Sequence, residues 1–260
     1  MEGPSGVVAL VLAETAAGGA ALLWLTGLWG RVRRGFFVLT GSVALACGLL
    51  ATLAAAAAVS GSVSSSLRVA VLLTAATTAL LGVSLAALIL RADRVGFGAG
   101  ILSVPVAVAM LVALARVSGP SFLSAAAQLL AGAAFMGAAM DGLLLGHWYL
   151  VDRKLGREPI GRYAVMLIAA VALEALAVAL LGFGEGSVAG PGFSPYLGIT
   201  GLSTWLALGM VACTGLIAIL IRASLRTPRS RAVQAATGFF YLAVITAFTA
   251  EMAAKVGFLG

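Results

Sequence analysis

Long apolar runs broken by short polar connections dominate this chain. Eight runs can be marked, over residues 6–29, 36–60, 69–90, 97–116, 122–150, 160–183, 197–221 and 232–257. A helix needs about 20 predominantly apolar residues to cross a hydrocarbon core of about 30 Å, and each run meets that length. The connections are short and carry helix breakers, such as "SGP" at 118–120 and "GEGSVAGPGFSP" at 184–195. None has room for a soluble domain. The pattern predicts an all-α fold: a polytopic integral membrane protein with eight transmembrane helices in a single transmembrane domain, 1–260.

Composition agrees. Of 260 residues, 62% are hydrophobic and 10% are charged, with a mean hydropathy of +1.13. Ordinary globular chains carry about 25% charged residues. The two cysteines, Cys47 and Cys213, fall inside apolar runs and read as small buried hydrophobes.

The net charge of +7 does not point to nucleic acid, because the basic residues cluster in the connections. Those after runs 1, 3, 5 and 7 hold 13 of the 16 Lys and Arg residues, leaving Arg68, Arg116 and Lys255. By the positive-inside rule these connections lie in the cytoplasm and both termini lie outside. The leader "MEGPSG" has no positive charge, so the first run reads as an N-out span and not a signal peptide. The expected setting is a bacterial inner membrane.

The two halves resemble each other. "ALILRA" (87–92) matches "AILIRA" (218–223), "GLWGRVRR" (27–34) matches "GHWYLVDRK" (146–154), and "ARV" (115–117) matches "AKV" (254–256), at offsets of 131, 119 and 139. An even number of spans per half predicts a parallel repeat, 1–118 and 119–260, of two four-helix bundles. Within run 5, Gly142 and Gly146 form GxxxG, and Ala133 and Gly137 extend the small stripe. Small residues at this spacing let helix backbones approach, so run 5 is expected to be central. Gly96 and Gly100 repeat the motif in run 4, and Pro105 should kink that helix.

Four of nine acidic residues fall inside the runs: Glu14, Asp141, Glu174 and Glu251. An ionisable group within a span costs a few kcal/mol and marks a functional site by default. At 1.5 Å per residue, Glu14, Glu174 and Glu251 lie roughly 8–14 Å below the outer boundary, and Asp141 roughly 10–14 Å above the cytoplasmic one. This predicts an outward-facing polar pocket for quinone or protons, with Asp141 apart from it. Lys255 follows Glu251 at i+4, the favourable order for an ion pair that neutralises the end of run 8. Each carboxyl can equally be structural, held by a hydrogen bond to a neighbouring helix.

His147 is the only histidine, and Trp148 and Tyr149 follow it. Aromatic residues at the edge of a span form an interfacial belt, so these three are expected at the cytoplasmic boundary, facing lipid headgroups or a partner. Asp141 and His147 are six residues apart and do not share a helix face. One histidine cannot supply bis-histidine haem ligation, and zinc-site, P-loop and nucleophile-elbow spacings are absent. No covalent or metal-bound cofactor is expected.

The eight-span topology, with the polar residue before an Ala/Gly run in "LAETAAGGAALLWL" (12–25), resembles the membrane-anchor subunits of the NrfD/DmsC type. That resemblance implies a haem-free subunit of a respiratory or other redox complex, with Glu14 in a quinone pocket and a partner subunit as electron acceptor. Two other readings stay open: a proton-coupled transporter or ion pathway using the intramembrane carboxylates, and a non-catalytic membrane scaffold or assembly factor.

Overall fold

The computed structural model describes residues 3–57, 64–118, 121–152, 154–182, 201–227 and 231–256. Eight helices follow in chain order: α1 (Gly3–Gly27), α2 (Arg34–Ala57), α3 (Ser65–Ile89), α4 (Asp93–Ala115), α5 (Phe122–Trp148), α6 (Glu158–Leu181), α7 (Leu202–Arg226) and α8 (Ala232–Val256). All are long and apolar enough to cross a membrane, and the described residues include no strand. The loop "GEGSVAGPGFSP", most of "SGP", and Arg153 and Arg229 lie outside the described residues.

The ends differ from the apolar runs where polar residues belong to the helix. Ser64 and Ser121 cap α3 and α5, accepting from the Leu67 and Ser124 amides. Asp93 joins the first turn of α4, and Pro159 starts α6. The expected run 197–221 becomes Leu202–Arg226. Gly201 holds φ +77° before the first turn, a left-handed conformation that stops the helix extending backward. At the other end Arg222 and Arg226, one turn apart, carry the helix past the expected end of the run at 221.

Helices α1 and α5 form the centre. Helix α1 packs against α2, α4, α5 and α8, and α5 against α1, α2, α4, α6 and α8. Helix α3 packs on α2 and α4, and α7 on α6 and α8. Small residues set this order. A Cβ added to Gly18 would stand 1.7 Å from the Ala133 carbonyl oxygen, and one on Gly137 would stand 2.4 Å from the Gly18 carbonyl carbon. The backbones of α1 and α5 therefore touch at the stripe expected to make α5 central. The Gly142–Gly146 pair seats α8, with the Phe240 ring over Gly142 and Thr237 over Gly146. Gly100 makes room for the Trp24 ring, which also packs on Phe37 and Phe97 at 5.8 and 5.3 Å between centroids.

Helix α4 continues through Pro105. Proline has no N–H to donate there, so one rung of the helix ladder is missing. Cys47 is buried as expected, but Cys213 is exposed on the outside of α7. That corrects the reading of both thiols as core groups: an apolar run on a peripheral helix presents much of its surface outward. Leu53, Leu72, Leu180 and Ile245 do the same, giving the bundle an apolar exterior.

Polar groups inside the bundle are largely self-satisfied. Threonine hydroxyls donate to the carbonyl four residues back, as in Thr15 to Val11 and Thr74 to Ala70. Thr52 with Thr78, and Thr214 with Thr246, pair across α2–α3 and α7–α8 at 3.0 and 2.7 Å.

Candidate functional site

Three helices, α1, α6 and α8, bring four ionisable groups to one point. Lys255 Nζ lies 2.9 Å from Glu14 Oε1 and 3.0 Å from Glu251 Oε2. It also donates to the Gln128 carbonyl at 3.4 Å, which ties α8 to α5. Glu174 faces the group from α6 with the Glu251 carboxyl as neighbour, and among the described residues no N–H or hydroxyl donates to its oxygens. Glu14, Glu251 and Lys255 are fully buried and Glu174 is 1% exposed. Gly132 of α5 gives the pair its space: a Cβ there would stand 2.7 Å from both Glu14 Oε1 and Glu251 Oε2.

The i+4 spacing of Glu251 and Lys255 is realised, but the pair is not a local neutralisation of a helix end. Lys255 is shared with Glu14, whose partner had no signature in its own neighbourhood. Lys255 and Glu251 lie in the last turns of α8, Glu174 about two turns before the end of α6 and Glu14 near the middle of α1. Asp141 stands apart, nearer the basic end.

Asp141 is also fully buried. Its Oδ2 accepts from the Tyr163 hydroxyl at 3.3 Å, and Tyr163 in turn meets Thr26 Oγ1 at 2.7 Å and the Leu22 carbonyl at 3.2 Å. The other oxygen, Oδ1, points toward Gly19 of α1 and has no hydrogen-bond partner among the described residues. Tyr163 was not singled out from the sequence, where a tyrosine just inside a span reads as belt. Its spacing carried the signal: Tyr163, Leu167, Ala170 and Glu174 recur at helical period on the buried face of α6. Replacing Tyr163 with phenylalanine removes the donor to a buried carboxyl, which costs about 1–3 kcal/mol. Thermal unfolding in detergent measures this, and an unchanged midpoint would show that the bond carries no weight.

At the basic end, ion pairs tie connections to helices. Arg31 and Arg162 both meet Glu158, Arg33 meets Asp152 at 3.2 Å, and Arg34 meets Asp93 at 3.5 Å. His147 is exposed, with Nδ1 3.4 Å from the Tyr241 hydroxyl. Trp148 closes α5 at the basic end, where the belt is expected. It is only half-exposed and its ring covers Gly35 of α2, where a Cβ would stand 2.2 Å from it. The missing side chain at Gly35 draws the indole inward. Tyr149 likewise turns back, donating its hydroxyl to the Gly156 carbonyl. Burial pushes its phenol above the ordinary range, so it serves as a donor.

The described residues hold no group of three or more His, Cys, Asp and Glu placed to bind a metal. No protein-family model, curated protein or solved structure matches this chain. Function therefore has to be argued from the two buried polar groups.

Proposed function

We propose that this is a multi-pass membrane protein that exchanges protons through the Glu14–Glu174–Glu251–Lys255 cluster. One observation carries the reading: three fully or almost fully buried carboxyls surround a single ammonium. Fully ionised, the cluster would hold two negative charges without a counter-ion in an apolar interior. Neutrality there requires protons, and carboxyls in contact share or pass them. Retaining so costly an arrangement inside a span is the mark of proton-handling sites.

The distribution of basic residues supports a reading with both termini outside, in a bacterial inner membrane, the cluster in the outer half and Asp141 toward the cytoplasm. The helix neighbours support two parallel halves. In the first, α1 to α4 form a closed ring of contacts, and in the second α5 to α8 do the same. Gly18 and Gly137, which touch, are separated by 119 residues, the offset that relates "GLWGRVRR" to "GHWYLVDRK". Equivalent residues of two halves meet at a two-fold axis, so this contact is what a repeat axis along the membrane normal would produce.

Reconstituted liposomes with an entrapped pH dye test the function. The wild type should dissipate an imposed pH gradient and Glu174→Gln should abolish that flux. Equal flux in the two would remove Glu174 from the mechanism, and no flux above empty liposomes would remove the reading.

A second reading keeps the same residues. In a redox subunit, the cluster would take protons from quinol near the outer face while a partner subunit takes the electrons. The cluster's place in the half of α6 and α8 away from the basic connections favours it. Purification in mild detergent with a lipid extract decides: bound quinone and a redox partner support it, and a partner-free, quinone-free protein overturns it.

A further inference from the structure

A cavity of about 740 Å³ opens at the basic end between the close of α5, the connection to α6 and the start of α8. Its polar lining includes His147, Arg157, Gln234 and Tyr241, and its apolar lining includes Leu150 and Val233. Among the described residues no carboxylate lines it. The side chains reaching it are a guanidinium, an imidazole, a phenol and an amide, all able to donate hydrogen bonds. His147 and Tyr241 approach within 3.4 Å of one another, which joins the α5 and α8 walls. Arg157 is anchored by a 3.0 Å hydrogen bond to the Thr227 carbonyl, so its charge is held beside the cavity. Leu150, 54% exposed, continues the cavity onto the apolar exterior.

We infer that this cavity binds a phosphate-bearing anion, presented by an anionic phospholipid. A site of donors and one fixed guanidinium without a carboxylate suits a phosphate. An opening that runs onto apolar surface suits the acyl chains of the same molecule. The cavity stands at the level where the positive-inside reading puts the cytoplasmic headgroups, where anionic lipid is available. The inference rests on the membrane reading and is independent of proton exchange at the other end.

Gly238 provides a clean block. It lines the cavity, and a Cβ there meets nothing within 4 Å, so Gly238→Leu fills the space without striking backbone. The purified full chain would be titrated with phosphatidylglycerol, phosphatidylcholine or inorganic phosphate, and bound lipid counted by native mass spectrometry. Wild type should retain one more phosphatidylglycerol than Gly238→Leu, and Arg157→Gln should weaken that retention at least tenfold. Phosphatidylcholine should not replace it. Displacement by millimolar inorganic phosphate would identify a site that reads the phosphate alone; resistance to it would identify a site that also needs the acyl chains. Equal retention in wild type and Gly238→Leu, or equal retention of the two lipids, overturns the inference. Both variants should keep the wild-type unfolding midpoint, which separates a lost site from a lost fold.

Discussion

Replacing Lys255 with methionine is expected to destabilise the protein by about 3–5 kcal/mol, the range seen when one partner of a buried ion pair is removed. The ammonium is fully buried and serves Glu14, Glu251 and the Gln128 carbonyl together. Methionine keeps much of the volume and removes the charge, so packing loss is a minor part of the effect. The deficit should shrink as pH falls, because a protonated carboxyl needs no counter-charge. A triple variant, Lys255→Met with Glu14→Gln and Glu251→Gln, should recover much of the loss, since removing a whole buried ion group is often close to neutral. Unfolding midpoints in detergent at neutral and acidic pH measure all of this. A methionine variant as stable as the wild type at neutral pH would mean that the cluster is not an ion group in the folded protein.

The Gly18→Leu substitution should be as damaging for a different reason. Overpacking of a core usually costs about 1–3 kcal/mol, because neighbouring side chains can give way. Here the neighbour is the α5 backbone, with the Ala133 carbonyl oxygen 1.7 Å from the new Cβ. Helices α1 and α5 would have to separate, disturbing both buried polar groups at once. A loss of about 3 kcal/mol or more is expected, beyond the ordinary overpacking range. Gly98→Leu is the control, because open space surrounds that position. It should change stability by no more than about 0.5 kcal/mol. Size-exclusion profiles and unfolding midpoints compare them, and equal behaviour of the two variants would refute the close α1–α5 crossing.

Hydrophobic length made the helices legible, because crossing a bilayer fixes the length of a span whatever its neighbours are. The small stripe of α5 made its central place legible for a related reason: glycine and alanine at positions 133, 137, 142 and 146 can be read as contact before any partner is known. The partners themselves were not legible. Glu14 and Lys255 stand on the first and last of the eight helices, and nothing local to either announces the other. Tyr163 was hidden by its position near a span edge, and the contact of Trp148 with Gly35 by the same reading. An aromatic near a boundary faces the headgroups only if no glycine opposite it, such as Gly35, offers a surface to cover.

The joining of α1 to α8 also has a consequence in time. Translation is directional, so α1 leaves the ribosome before the other seven helices and α8 after them. On the membrane reading proposed above, Glu14 and Glu174 would enter the bilayer before their cation is synthesised. They can do so cheaply only as neutral acids. The arrival of Lys255 then converts a loosely associated set of helices into a closed one, as a clasp fastens the two ends of a strap. A chain interrupted before α8 would lack this fastening and leave Glu14 without its cation.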